Sequence, residues 1–306
     1  MTEERNKSNL LAIGLVCLGF LAFTISDATS KFLTDGYHPF MAVFMVTLTT
    51  AIVSVTYALM TGGVDRLKTK FPKLHLIRAI LVTGSAFLNI KAFQTIQLDE
   101  FYAVVFTAPL WVAVLSALFV KDELGMKRLV SIVAGFVVIL FMLRPSGDVF
   151  GFDALLVLIS SILFAFSMLI IRMIGGDEPP LRYLVYFSSM AAVASGATVF
   201  AMDVVTLPDL TDAGIVVLTS AFVILGIICS AKGFQKAHSA AVVAPYHYTQ
   251  MVWGIILGYF MFGDVPSQEV LIGSGLLIIA GLYITYSEAK AHPKLMPHSE
   301  ATDVQP

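Results

Sequence analysis

Apolar residues run along this chain in blocks close to twenty residues long, and short polar stretches separate one block from the next. Ten blocks can be placed, at 9–32, 38–61, 75–97, 99–120, 127–144, 151–173, 181–203, 211–233, 239–262 and 267–288. About twenty apolar residues is the length at which an α-helix crosses roughly 30 Å of hydrocarbon. Turn-forming residues punctuate the blocks: Thr61-Gly62-Gly63, Arg144-Pro145-Ser146-Gly147, Gly175 to Pro180, and Leu207-Pro208-Asp209. The blocks do not alternate with a period of two as barrel strands do, and an open sheet edge has no hydrogen-bond partners in lipid. The pattern therefore predicts an all-α, polytopic membrane protein with ten transmembrane helices. Residues 1–8 read as a short leading tail, and 289–306 as a polar tail expected to be disordered. The first block reads as a retained helix. Its apolar run from Leu10 to Ile25 continues into Asp27 and Lys31 without a small-residue cleavage site, and a signal peptide's apolar core spans only about 7–15 residues.

Composition agrees. Hydrophobic residues make up 58% of the 306 and charged residues 13%, with a mean hydropathy of +0.86. Soluble domains carry about 25% charged residues, so a soluble chain of this kind could not cover its own surface. The net charge of -2 shows no nucleic-acid footprint. Cys17 and Cys229 lie inside apolar blocks and read as buried hydrophobes, not as a disulfide or a metal pair. Of the nineteen lysines and arginines, all but Lys31, Lys91 and Arg144 fall on one side if the termini share that side. The positive-inside bias then places both termini in the cytoplasm.

The chain also resembles itself at a constant offset of 141 residues: Ser26 with Ser167, Lys31 with Arg172, Pro39 with Pro180, Lys91 with Lys232, Phe93 with Phe234, Gln94 with Gln235, and Phe119 with Phe260. Glu123 pairs with Asp264 at the same offset. Each half, 9–144 and 151–288, holds five blocks. An odd number inverts the second half, which predicts two inverted five-helix repeats with a solute site between them near the midplane. Ala113 and Ala117 in the fourth block match Gly254 and Gly258 in the ninth, and small residues at this spacing let helices approach closely.

Two five-helix halves, about 300 residues in all, together with Phe106-Thr107-Ala108-Pro109-Leu110-Trp111 and Lys121-Asp122-Glu123-Leu124, resemble the EamA-type members of the drug/metabolite transporter superfamily. Ala244-Pro245 and Gly263-Asp264 are similar to the second-half version, with aspartate where glutamate is usual and the proline early in the helix. The resemblance covers residues 9–288. It implies a secondary transporter of small organic metabolites, such as amino acids, nucleoside-like compounds or vitamins, working by alternating access in the bacterial inner membrane. The Phe-Thr-Ala-Pro-Leu stretch is most similar to that of members that take up riboflavin or S-adenosylmethionine. No cofactor is implied. The expected partners are a small organic solute and the lipid bilayer, with a coupling proton and a homodimer left open.

Ionisable and polar residues inside spans are costly and mark candidate sites. Asp27 is the deepest acid, with Lys31 one turn away as a local partner. Asn89, Lys91 and Gln94 cluster on the third block, Asn89 or Gln94 facing the cavity and Lys91 reaching the headgroups. On the fourth block Tyr102, Phe106 and Pro109 share a face near Trp111, and the proline frees a carbonyl that a wet cavity can satisfy. On the ninth, Tyr246, His247, Gln250 and Trp253 form a polar-aromatic cluster, with Tyr248 beside them. Such groups suit a flat or amphipathic organic solute. No HExxH, GxSxG or GxxxxGK[ST] motif is present, which leaves an intramembrane enzyme, a channel and a receptor as weaker readings.

Overall fold

The computed structural model describes residues 2–96, 101, 104–105, 107–119, 134, 137–138, 152–175, 178–237, 243–269, 271–276 and 279, with side chains from residue 10 onward except at 109, 113, 116, 117, 244 and 245. The described elements are all helical. In chain order they are α1 (Thr2–Gly36), α2 (Pro39–Gly62), a 3₁₀ turn (Gly63–Arg66), α3 (Pro72–Ala92), α4 (Ala108–Phe119), α5 (Phe152–Ile174), α6 (Pro180–Ala201) and α7 (Leu210–Lys236). A 3₁₀ turn (Ala244–Tyr248) then leads into α8 (Thr249–Leu257), which ends in a π turn (Gly258–Phe262). Among the described residues, six helices (α1, α2, α3, α5, α6 and α7) are long and apolar enough to cross a bilayer. Almost all of the predicted block 127–144, and much of 267–288, lie outside the described residues.

Local chemistry explains the boundaries. Pro39, Pro72 and Pro180 each sit in the first turn of a helix, where the missing N–H has no helical partner to lose. The Asp209 side chain caps α7 by accepting from the Asp212 amide at 2.8 Å. The fourth predicted span is not one continuous helix. It breaks at Thr107, and α4 begins at Ala108, so Pro109 lies in a first turn and not mid-helix. The reading of Pro109 as the source of an orphan carbonyl within an unbroken helix is corrected accordingly. Thr107 stabilises the break by donating to the Val104 carbonyl and pairing with Ser161 at 2.7 Å.

Helices pack mainly in three pairs: α1 on α7, α2 on α6, and α3 on α5; α4 packs on α5, and α8 on α1. Small residues make these crossings close. A Cβ on Gly19 would stand 2.8 Å from the Ser230 amide nitrogen and 3.2 Å from the Gly226 carbonyl, and one on Gly233 would stand 3.0 Å from the Ala12 carbonyl. Buried hydroxyls tie the other crossings. Thr47 meets Ser195 and Ser54 meets Ser188, each at 3.4 Å, between α2 and α6. Ser85 meets Ser160 at 2.8 Å between α3 and α5. Serines and threonines lie inside, while Leu18, Ile52, Val193 and Val217 are exposed. That is the inversion expected of a bundle with lipid as its outer solvent.

Polar ties lace both ends. At one end, Tyr37 donates to Asp212 at 2.7 Å, joining the α1–α2 junction to α7. At the other, Glu178, 4% exposed, meets His75 at 2.9 Å and accepts from Arg182 at 3.0 Å. Gln235 donates to the Glu178 carbonyl at 2.7 Å, and Arg182 to the Arg66 carbonyl at 3.1 Å.

Two stability measurements follow. Gly19→Ala should lower the melting temperature in detergent, at a cost of about 1–3 kcal/mol, because the new methyl meets backbone that cannot swing aside. Gly14→Ala, where nothing lies within 4 Å, should be neutral or gain about 0.4–1 kcal/mol. Glu178→Gln should cost about 3–5 kcal/mol, as breaking a buried charged contact does. Asp65→Asn, whose Lys68 partner is largely solvated, should cost under about 1 kcal/mol.

Candidate functional site

The bundle holds a cavity of about 180 Å³. A single water needs about 10–15 Å³ by the same measure, so this space admits a small organic molecule. Its walls come from most of the helices just described. α1 contributes Phe23, Ser26, Asp27 and Ser30, α3 contributes a line from Arg78 through Ser85 and Asn89 to Ile90, and Phe93 follows just past its end. α5 supplies Ser160, Ser161 and Phe164, and the start of the α8 segment supplies His247 and Gln250. Residues 78, 82, 85, 86 and 89 recur at three- and four-residue steps, so one stripe of α3 faces the cavity along much of its length.

The polar wall is held in place by aromatic packing. His247, 4% exposed, stacks on Phe20 with centroids 4.3 Å apart and planes 11° apart, and lies 5.7 Å from Phe164. Phe23 and Phe164 meet edge to face across the cavity at 6.4 Å. Asn89 turns a buried carbonyl oxygen inward that has no hydrogen-bond partner among the described residues. The 3₁₀ turn at Ala244–Tyr248 sets the register by which His247 and Gln250, three apart, both reach the wall. Among the described residues no group of three His, Cys, Asp or Glu could hold a metal ion.

Four of the residues singled out from sequence line this space together: Asp27, Asn89, His247 and Gln250. Gln94 does not. α3 ends at Ala92, so Gln94 leaves the helical phase of Asn89, is exposed, and accepts from Lys91 at 2.8 Å. Trp111 and Tyr246 pack as partly buried residues on the main apolar core. Trp253 is half-buried and off the lining. The tighter 3₁₀ winding ahead of α8 alters the angular relation of Tyr246 to Gln250 and Trp253 that a uniform helix would give. Tyr102, Phe106 and the Pro109 side chain lie outside the described residues. Lys31 does not pair with Asp27. Its ammonium stands 3.8 Å from Asp264 and donates to the Ile96 carbonyl at 3.2 Å.

Sequence reading missed the serines of α1, α3 and α5, because a hydroxyl inside a span also satisfies its own helix and carries no distinct pattern. It also missed Arg78, which counts in sequence among the basic residues flanking a span. A charged residue that falls inside the 75–97 block was the available signal.

The chain matches the EamA-like transporter family over residues 10–144 and 152–287. An S-adenosylmethionine uptake transporter of Rickettsia bellii (strain RML369-C) is 26% identical over 288 residues, covering 94% of this chain and 98% of that protein. A riboflavin transporter of Vibrio cholerae serotype O1 is 24% identical over 285 residues, covering 88% of this chain and 91% of that protein. A protein of known crystal structure, 15% identical, superposes with a TM-score of 0.70 over 94% of this chain and 99% of its own, which shows a shared fold. With both halves matched and six helices of membrane-crossing length among the described residues, this chain is a multi-pass membrane protein that belongs to the EamA-like transporter family.

Proposed function

We propose that the chain is a secondary transporter that moves a small organic metabolite across the bacterial inner membrane by alternating access, with the cavity as its solute site. The observation that carries this reading is an interior space in a transporter-family bundle, walled by serines, Asn89, His247, Gln250, Asp27 and Arg78 between aromatic rings. Relatives named for S-adenosylmethionine and riboflavin make those two compounds the first candidates. Asp27, Asn89, His247 and Gln250 are the proposed solute contacts.

The architecture proposed for this cycle is ten helices in two inverted halves, 9–144 and 151–288, with both termini cytoplasmic. Pair symmetry supports it. The offset of 141 carries Thr47 to Ser188 and Ser54 to Ser195, so the contact of Thr47 with Ser195 maps onto that of Ser188 with Ser54. The same offset exchanges the α1–α7 crossing with the α3–α5 crossing, relates Phe23 to Phe164, and carries the start of α4 at Ala108 to the start of α8 at Thr249. In this orientation the tied cluster of His75, Glu178 and Arg182 closes the cytoplasmic side beneath the cavity.

Purified protein in proteoliposomes should take up radiolabelled S-adenosylmethionine or riboflavin saturably, with counterflow driven by unlabelled solute. Asn89→Ala and Gln250→Ala should each raise KM about three- to tenfold, the range for loss of one hydrogen bond, and Trp253→Ala should leave it within about twofold. Non-saturating flux would contradict the transporter cycle, and unchanged KM in both cavity variants would remove this cavity as the site. Collapse of accumulation by a protonophore would identify a coupling proton.

A further inference from the structure

Among the described residues, two formally charged side chains line the cavity, Asp27 and Arg78. Arg78 sits about 9 Å along α3 from the Pro72 end, at a rise of roughly 1.5 Å per residue. It is 3% exposed, yet among the described residues no carboxylate pairs with it. The nearby Glu178 is already shared by His75 and Arg182. Arg78 donates through one Nη to the Tyr183 carbonyl at 3.5 Å, the outer limit of a hydrogen bond, and its guanidinium carbon lies 5.1 Å from the Tyr183 ring. Its Nε is buried and has no hydrogen-bond partner among the described residues. A guanidinium keeps its charge and offers five donors in a planar fork. Among the described residues most of this fork has no hydrogen-bond partner, and Arg78 stands on the wall of a cavity.

We propose that Arg78 anchors a carboxylate of the transported solute, so that the site selects carboxylate-bearing metabolites. The inference rests on the transporter reading and deepens it. A carboxylate fits the fork with two parallel N–H···O bonds, and it neutralises a charge whose burial is otherwise costly. One guanidinium matches one negative charge. The Asp27 carboxylate on the same lining disfavours a second, as a phosphate dianion would bring. Of the two candidate solutes, S-adenosylmethionine carries a carboxylate and riboflavin does not, so the anchor favours the former. Tyr183 serves as a positioning residue, its ring holding the guanidinium on the cavity floor.

The test compares wild-type full-length protein with Arg78→Gln, Arg78→Lys and Arg78→Met. In proteoliposomes, Arg78→Gln should raise the KM or half-inhibitory concentration for S-adenosylmethionine by about thirtyfold or more, as loss of a desolvated charged contact does. That for decarboxylated S-adenosylmethionine should stay within about twofold, and Arg78→Lys should fall between wild type and Arg78→Gln for the carboxylate compound. In detergent without solute, Arg78→Met should keep or raise the melting temperature, since removing an uncompensated buried charge relieves its cost. Equal losses for the carboxylate and decarboxylated compounds would overturn the proposal, as would riboflavin uptake by the wild type with neither uptake of S-adenosylmethionine nor inhibition by it. The riboflavin result would leave the transporter reading standing. Transport of neither compound would count against the solute assignment, and the melting temperature alone would then decide on Arg78. A drop of several degrees in Arg78→Met would mark Arg78 as a structural brace and overturn the anchor.

Discussion

Close approach of helix backbones through glycine, alanine and serine is the contact on which this bundle depends. In lipid there is no aqueous penalty to drive apolar faces together, so association rests on packing and on polar groups that meet across helices. Gly19 of α1 lies against Gly226 and Ser230 of α7 with no room for a methyl group. The Ser85–Ser160 contact joins α3 to α5, and paired hydroxyls join α2 to α6. These crossings bring six helices close enough to surround a common interior. Where larger rings, Phe23 and Phe164, stand between the helices, the packing opens into the cavity.

The cavity inherits its chemistry from that packing. α1 and α3 are each held on a partner by small residues, and each presents another face to the interior, with Ser26, Asp27 and Ser30 on one and Arg78, Ser85 and Asn89 on the other. Ser85 does both, bridging to Ser160 while lining the space. His247 is held between Phe20 and Phe164, so its orientation depends on the aromatic packing of α1 and α5. Below, the His75–Glu178–Arg182 ties join α3 to α6 and the segment before it. A bilayer-spanning bundle with a polar interior and laced ends is a physically coherent vehicle for a solute that the membrane would otherwise exclude.

Much of this was legible in the sequence, for reasons that particular residues make clear. Helices such as α2 and α5 announce themselves because apolar length is what the bilayer demands. Asp27, Asn89, His247 and Gln250 stood out because polar atoms inside a span need partners. Gln94 and Tyr246 lie off the cavity lining because face assignments assume an uninterrupted α-helix, while α3 ends at Ala92 and Tyr246 falls in a 3₁₀ turn ahead of α8. The Thr107 break, which puts Pro109 in a first turn, escaped for the same reason. Arg78 was hidden by its company among the basic residues that precede the third block, and only its place inside that block sets it apart in sequence. The tight contact at Gly19 was equally invisible, because it depends on which helix lies opposite.

If the solute occupies this cavity, it should protect a cysteine placed on the cavity wall from thiol labelling. With Cys17 and Cys229 replaced by serine, Asn89→Cys would be reacted with a small water-soluble methanethiosulfonate in proteoliposomes, with and without a saturating transported solute. The solute should slow labelling at position 89 and leave labelling of Gln94→Cys, in the turn beyond α3, unchanged. Equal labelling rates at position 89 with and without solute, in protein that still transports it, would place the solute elsewhere.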